Sequence, residues 1–454
     1  MLLDESITDS RAQAFFQRYL RNNIFTDEEQ ALLRGFRLCG SKVISQTGAL
    51  PAVFVVNRTT DDGETASHFY GIARCHSAWA CPYCTARVMA EKSKEIAAAI
   101  DVLATEHNQS AMMITLTFPH LWKMSCAESF TILKKAWRMF IKPANKGRHK
   151  INHYITVKGE KKSYVCGDNI YGKFRSELRI IHHIRAYEFT WGQNGWHPHI
   201  HALFWAPNET FDKATDYEAE LNARWLHCVE IQAKKYWGDQ NPSALADELN
   251  ARADELFRSG NRDKHPGLTI SKDLNGKARR ITSSAYISGW SGNTELTRTD
   301  LKKASAGHYT IHQIIDNAVK AETREESDKW LKLFTEYALA TKGSRRVEKS
   351  NSGLTALAQD WLKRNPNVNY LKKKDTSKAQ KTQVVCWFNE NQWWLICNYI
   401  RIEVFDIHAQ ILEKARLPDG KTEIENLLLK YGVDIRENGE HHLTKFIEQK
   451  VLAA

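Results

Sequence analysis

What this chain of 454 residues lacks narrows its function before any motif is read. It holds no run of 18 apolar residues and no basic-then-apolar leader, so neither membrane insertion nor export is expected and the expected compartment is the cytoplasm. No Walker A loop is present. The nearest approach, Gly343 to Ser350 (GSRRVEKS), has Glu348 where the second glycine is required, and nucleotide hydrolysis is set aside. No H-E-x-x-H helix exists, which leaves a two-His, one-Glu zinc peptidase without support. Internal repeats are also missing. Acidic residues are the minority: 53 Asp and Glu face 64 Lys and Arg, a net charge of +11 that favours a polyanionic partner.

The basic residues are unevenly spread. From Lys134 to Lys162 there are ten Lys or Arg and one acid, Glu160; from Lys363 to Lys381 there are seven and one, Asp375. Such runs are most often solvated faces or linkers. The first interleaves Trp137, Phe140 and Tyr154, a mixture suited to stacking bases and tracking phosphates, so Lys134, Lys135 and Arg138 are candidate contacts to single-stranded DNA. The second reads first as a flexible linker. Nine cysteines in a cytoplasmic chain point to metal or free thiols rather than disulfides. Cys75, Cys81 and Cys84 form C-x5-C-x2-C with Cys39 upstream, a set that can hold structural Zn2+. His76 competes with Cys39 but is awkwardly adjacent to Cys75, and a redox C-x-x-C pair is the rival reading. The remaining five cysteines show no spacing.

The most informative segment is Tyr187 to Phe204, YEFTWGQNGWHPHIHALF. Asn194-Gly195 between two alternating runs predicts a β-hairpin, since both turn positions favour φ > 0. With Gln193 opposite Trp196, Glu188 lies across from His201; in the other register it lies across from His199. Either way Glu188, His199 and His201 share a face, with cross-strand Cβ atoms roughly 5 Å apart. Three ligands with open positions describe a catalytic metal site, and imidazole with carboxylate suits Mn2+ or Mg2+. His197 faces the same side by parity.

The string GWHPHIHALF resembles the HUH endonucleases, and among them the plasmid rolling-circle replication initiators. Further pieces follow in that family's order: MITLTF (Met113 to Phe118), AYISGW (Ala285 to Trp290), ELT (Glu295 to Thr297) and a stretch from Tyr337 to Leu354. The resemblance runs from about Arg37 to Leu357. It implies metal-dependent nicking of one strand of origin DNA by tyrosine transesterification, leaving a 5′-phosphotyrosine and a free 3′-OH, with a host helicase and polymerase as partners. By its motif Tyr286 is the nucleophile, with Tyr309 and Tyr337 as rivals, and Ser283 or Ser284 could cap a helix there. Departures are visible: Gly289 stands where the family usually has lysine, and Thr282 where some members have a water-activating glutamate. Glu295 is the candidate replacement. An HUH transposase, a relaxase, or an inert zinc-containing DNA-binding repressor are the alternatives.

The expected fold is α+β, a central antiparallel HUH-type sheet flanked by helices. Residues 1–110 would form an N-terminal helical and zinc-binding module, 111–357 the nuclease domain, 358–381 a basic linker and 382–454 a small α+β domain of unknown role. In that last part VVCWF and WWLICNYIRI, flanking Asn389 to Gln392, read as a second hairpin.

Overall fold

The computed structural model describes residues 5–44, 51–59, 65–117, 124–142, 151–157, 160–166, 169–193, 195–240, 267–283, 296, 307–366, 368, 381–404, 406–436 and 438. Its strands are, in chain order, β1 (Ala52–Thr59), β2 (Thr65–Tyr70), β3 (Gln109–Leu116), β4 (Ile151–Val157), β5 (Glu160–Cys166), β6 (His183–Gly192), β7 (Gly195–Pro207), β8 (Leu268–Ile270), β9 (His308–Thr310), β10 (Val347–Lys349) and β11 (Lys381–Asn389). The fold is α+β, with a central antiparallel sheet flanked by helices. Among the described residues no helix is long and apolar enough to cross a membrane. Two compact units are present: residues 1–88, 313–342 and 372–454 form a cysteine unit, and residues 89–312 and 343–371 a hairpin unit.

The hairpin unit is built on the sheet β10-β6-β7-β3-β8, with β9 also pairing β6. Alternation along β7 puts Trp196, Ile200 and Phe204 on one face and His197, His199, His201, Leu203 and Trp205 on the other. The first face packs on helix Cys126–Ile141, started by a capping box between Ser125 and Glu128. There Phe130 meets Tyr187 and Phe189 edge-on at ring separations of 5.0 and 5.1 Å. Trp137 and Phe140 are each 1% exposed on that same apolar stripe. They are therefore core, and cannot stack bases as the sequence suggested.

The second face is covered by helices Pro82–Glu106 and Gly353–Arg364, whose Ile96, Ala99, Leu354 and Ala358 share a core with Met113, Ala186 and Leu203. That core ends at a definite level. The next residues along β3, β6 and β7 on the same face are Thr115, Glu188 and His201. Helix Gly353–Arg364 also runs through residue 358, where the linker was expected to begin; its buried Leu354 and Ala358 tie it to the hairpin unit.

In the cysteine unit β1 is the centre of a three-stranded sheet, β11-β1-β2. β11 pairs antiparallel along all of β1, from Ala52 opposite Asn389 to Thr59 opposite Lys381. Residues 381–436 are thus not a free-standing domain: Trp393, Ile396, Ile411 and Leu428 bury against Val53, Val55 and Phe69 in one core. The second hairpin is absent as well. Asn389 caps helix Glu390–Leu395 through a reciprocal box with Gln392, so the polar stretch that resembled a turn starts a helix instead.

Candidate metal centres

In the cysteine unit, helix Asp27–Leu38 ends at Cys39, and Gly40, at φ 79°, turns the chain away. Gln13 and Gln17 donate side-chain hydrogen bonds to the Cys39 carbonyl at 3.0 and 3.1 Å. Pro82 opens helix Pro82–Glu106, placing Cys81 just before its first turn and Cys84 within it. The four sulfurs converge: Cys39 lies 3.6 Å from Cys84 and 3.7 Å from Cys81, and Cys75 3.7 Å from Cys84. A tetrahedron of Zn–S bonds near 2.3 Å has edges of about 3.8 Å, so the set fits a tetrathiolate zinc ion. Thiol hydrogen bonds from Cys75, Cys81 and Cys84 hold the Cys39 proton affinity well below the usual thiol range, which favours the ligating thiolate. The Cys75 N–H also points at the Cys39 sulfur, at 3.4 Å. His76 is exposed with φ 50° and takes no part in this convergence. The cluster suggests a structural zinc site, and among the described residues it is the one group of three or more His, Cys, Asp or Glu whose ligand atoms all lie within 4.8 Å.

The hairpin adopts the second of the two registers. Gly192 pairs with Gly195 and Glu188 lies opposite His199, so the turn closes between Gly192 and Gly195 and Gly195 belongs to the strand rather than to the turn. Gly195 still needs its φ of +83°, but as the first residue of β7. Glu188 and His201, each about one-tenth exposed in the side chain, are in contact, with Oε2 2.8 Å from Nε2. On its other side, His201 Nδ1 is 3.1 Å from Thr115 Oγ1. A carboxylate only accepts, so the Nε2–H points at Glu188 while the Thr115 hydroxyl holds Nδ1 from the other side, and the two contacts together fix the ring's orientation. His199 stands 6.1 Å from His201 and 4.2 Å from His197, ring to ring, on the same face. Adjacent ligand atoms around an ion bonded at about 2.1 Å are about 3 Å apart, a spacing the Glu188–His201 pair already has. His199 stands beside that pair.

Tyr286 and Glu295 lie outside the described residues, as does Gly289. Their flanks are placed: Ser283 donates its hydroxyl to Asp101, and Leu296 is buried in the core below the histidine face; Ser284 and the helix expected there lie outside the described residues. Of the rival nucleophiles, Tyr309 pairs with Trp191 on β9, which by parity sends it to the face opposite the histidines. Tyr337 is buried in the cysteine unit, its hydroxyl directed at the Trp79 carbonyl. Lys135 and Arg138 are exposed on helix Cys126–Ile141, while Lys134 is half-buried, 4.2 Å over the Phe130 ring and 3.2 Å from Ser344 Oγ. Thr115 and Ser344 were missed in the sequence. A threonine inside the apolar run of β3 was the available sign of the first; nothing local marked the second.

No protein-family model matches the chain. It is similar to Protein rep of Streptomyces lividans, 26% identical over 313 residues that cover 66% of each chain. It is also similar to the Neomycin resistance protein of Streptomyces cyanogenus, 26% identical over 48% of this chain and 47% of that one. The chain thus spans less than two thirds of either relative. Among solved structures, the N-terminal nuclease domain of non-structural protein 1 of Minute virus of mice aligns with 41% of this chain and 77% of that one, at 10% identity and a TM-score of 0.18, a likeness too slight to argue from.

Proposed function

We propose that the chain is a replication initiator that nicks one strand of plasmid origin DNA, using Mg2+ or Mn2+ at the hairpin and Tyr286 as nucleophile. The observation that carries this reading is the polar group just beyond the Met113–Ala186–Leu203 core, where Glu188 contacts His201, His199 stands beside the pair and Thr115 holds the His201 ring. The name and partial similarity of Protein rep support it. A divalent ion held there would polarise the scissile phosphate and offset its developing charge. His201 and Glu188 bind and orient; Thr115 holds the imidazole nitrogen that does not ligate. The Tyr286 oxygen would attack phosphorus, the P–O3′ bond breaks, and the phenol proton ends on the departing 3′-OH.

Glu295, immediately before the buried Leu296, is proposed to activate the terminating water. The test is an origin-bearing single-stranded oligonucleotide incubated with Mn2+, followed by peptide mapping of the adduct. Adduct on Tyr286, and none with Tyr286→Phe, is expected. DNA binding with no adduct on any tyrosine would instead support an inert DNA-binding protein, the reading that Thr282 and Gly289 favour.

A further inference from the structure

The turn dismissed as a nucleotide-binding loop, Gly343 to Arg346, sits beside the hairpin. The Tyr187 N–H donates to the Arg346 carbonyl at 3.0 Å, and Val347 pairs with Ala186, so Arg345 leaves the sheet at the level of Glu188. Gly343, at φ 75°, makes the bend, and Arg345 is exposed. Helix Cys126–Ile141 brings Lys134 to this turn through Ser344, and exposed Arg138 follows one helical turn later. The nearby carboxylate, Glu348, is engaged by Arg185. Lys134 thus contacts the Ser344 hydroxyl, with Arg138 one helical turn from Lys134 and Arg345 next to Ser344 in the chain, at the edge of the sheet. The outer edge of β6 is covered by β10 at Ile184–Ala186 and by β9 at Thr190–Gly192, and Tyr187–Phe189 lie between these two covers.

We propose that Lys134, Arg138, Ser344 and Arg345 form a phosphate-binding surface for single-stranded DNA, holding the strand as it crosses the edge of β6 from the metal face. This rests on the nicking reading above and adds the path by which the strand leaves the metal. Arg345 and Arg138 supply charge-assisted hydrogen bonds to phosphate oxygens, and the Ser344 hydroxyl a neutral one. Charge rather than base recognition dominates, so the surface is indifferent to sequence and sensitive to salt.

The test uses the zinc-loaded full chain, a labelled mixed-sequence single-stranded oligonucleotide, and no added Mg2+ or Mn2+. Removing two phosphate contacts in the Arg138→Ala/Arg345→Ala variant should weaken binding about tenfold at low salt and reduce the log–log salt slope by about 1.4. Charge reversal, Arg138→Glu/Arg345→Glu, should weaken it further. Both side chains are exposed, and an unchanged melting temperature reports an intact fold. Wild-type slope and affinity in both double variants, with nicking intact, overturns this surface and leaves the nicking reading standing. Normal salt-dependent binding with no metal-dependent nicking does the reverse.

Discussion

The two clusters of metal-ligating side chains differ in how much of a coordination sphere each one supplies. In the cysteine unit, four sulfurs of one chemical kind converge to 3.6–3.7 Å and leave no position open. In the hairpin unit, two imidazoles and a carboxylate share one side of a sheet, and only one imidazole and the carboxylate stand at ligand spacing, 2.8 Å apart. The supports differ accordingly. Cys39 is pinned by Gln13 and Gln17 and by the turn at Gly40, whose carbonyl receives Trp393 Nε1 at 3.2 Å. His201 is held by strand pairing, by the Glu188 carboxylate at 2.8 Å and by the Thr115 hydroxyl at 3.1 Å. A closed sphere invests in the fold, whereas an open one must be held in shape by its neighbours.

Losing the closed sphere should have the largest effect. Structural zinc in small modules contributes about 10–16 kcal/mol of apparent binding free energy, so Cys81→Ser should yield zinc-free, poorly soluble protein. Elemental analysis of the wild type should give one zinc per chain; none would break the comparison at once. At the open site, His201→Ala and Glu188→Ala should each lower nicking by roughly a thousandfold, about 4 kcal/mol, with zinc content unchanged. Undiminished nicking in both would remove the hairpin from the chemistry.

A third effect separates the units by pH. His183 is half-buried, stacked on Phe204 at 5.3 Å, and desolvation, with Arg175 and Arg185 nearby, pushes its pKa down from 6.5 to about 4. Because the folded state resists the proton that the unfolded chain accepts, this contribution is complete above pH 6.5. It is lost as pH falls toward 4, by about 3 kcal/mol. His183→Phe should flatten the pH dependence of the hairpin unit's urea midpoint across that window. The smallest expected effect concerns the supporting hydroxyl: Thr115→Val should weaken Mn2+ binding about 10- to 100-fold, and Thr115→Ser should restore it. Equal loss in both variants would mean that packing, not the hydrogen bond, is at stake.

Local patterns were legible where the physics is local. Alternation along β7, the cysteine spacing and the helical character of residues 1–35 could be read because each depends on neighbours within a few positions. The turn closes differently because Gly192 and Gly195 offer a second register with the same face. Asn389 was misread because the residues that favour turns are also those that cap helices. Trp137 and Phe140 looked like a stacking platform since a basic helix has a buried side that charge counts do not show. The pairing of β1 with β11 had no local sign at all.

That last pairing bears on how the protein is made. Thr59 waits for Lys381, a little over 300 residues later, which at typical synthesis rates is roughly 15–65 s of translation. For that interval the hydrophobic face of β1 has neither β11 nor the helices after it to bury against. The hairpin unit, whose strands β3 to β10 all precede residue 350, can close first. The cysteine unit is then the late-forming part, bounded by loop closure over long sequence separations, and its half-built sheet is the stretch most exposed to chaperones and to aggregation during synthesis.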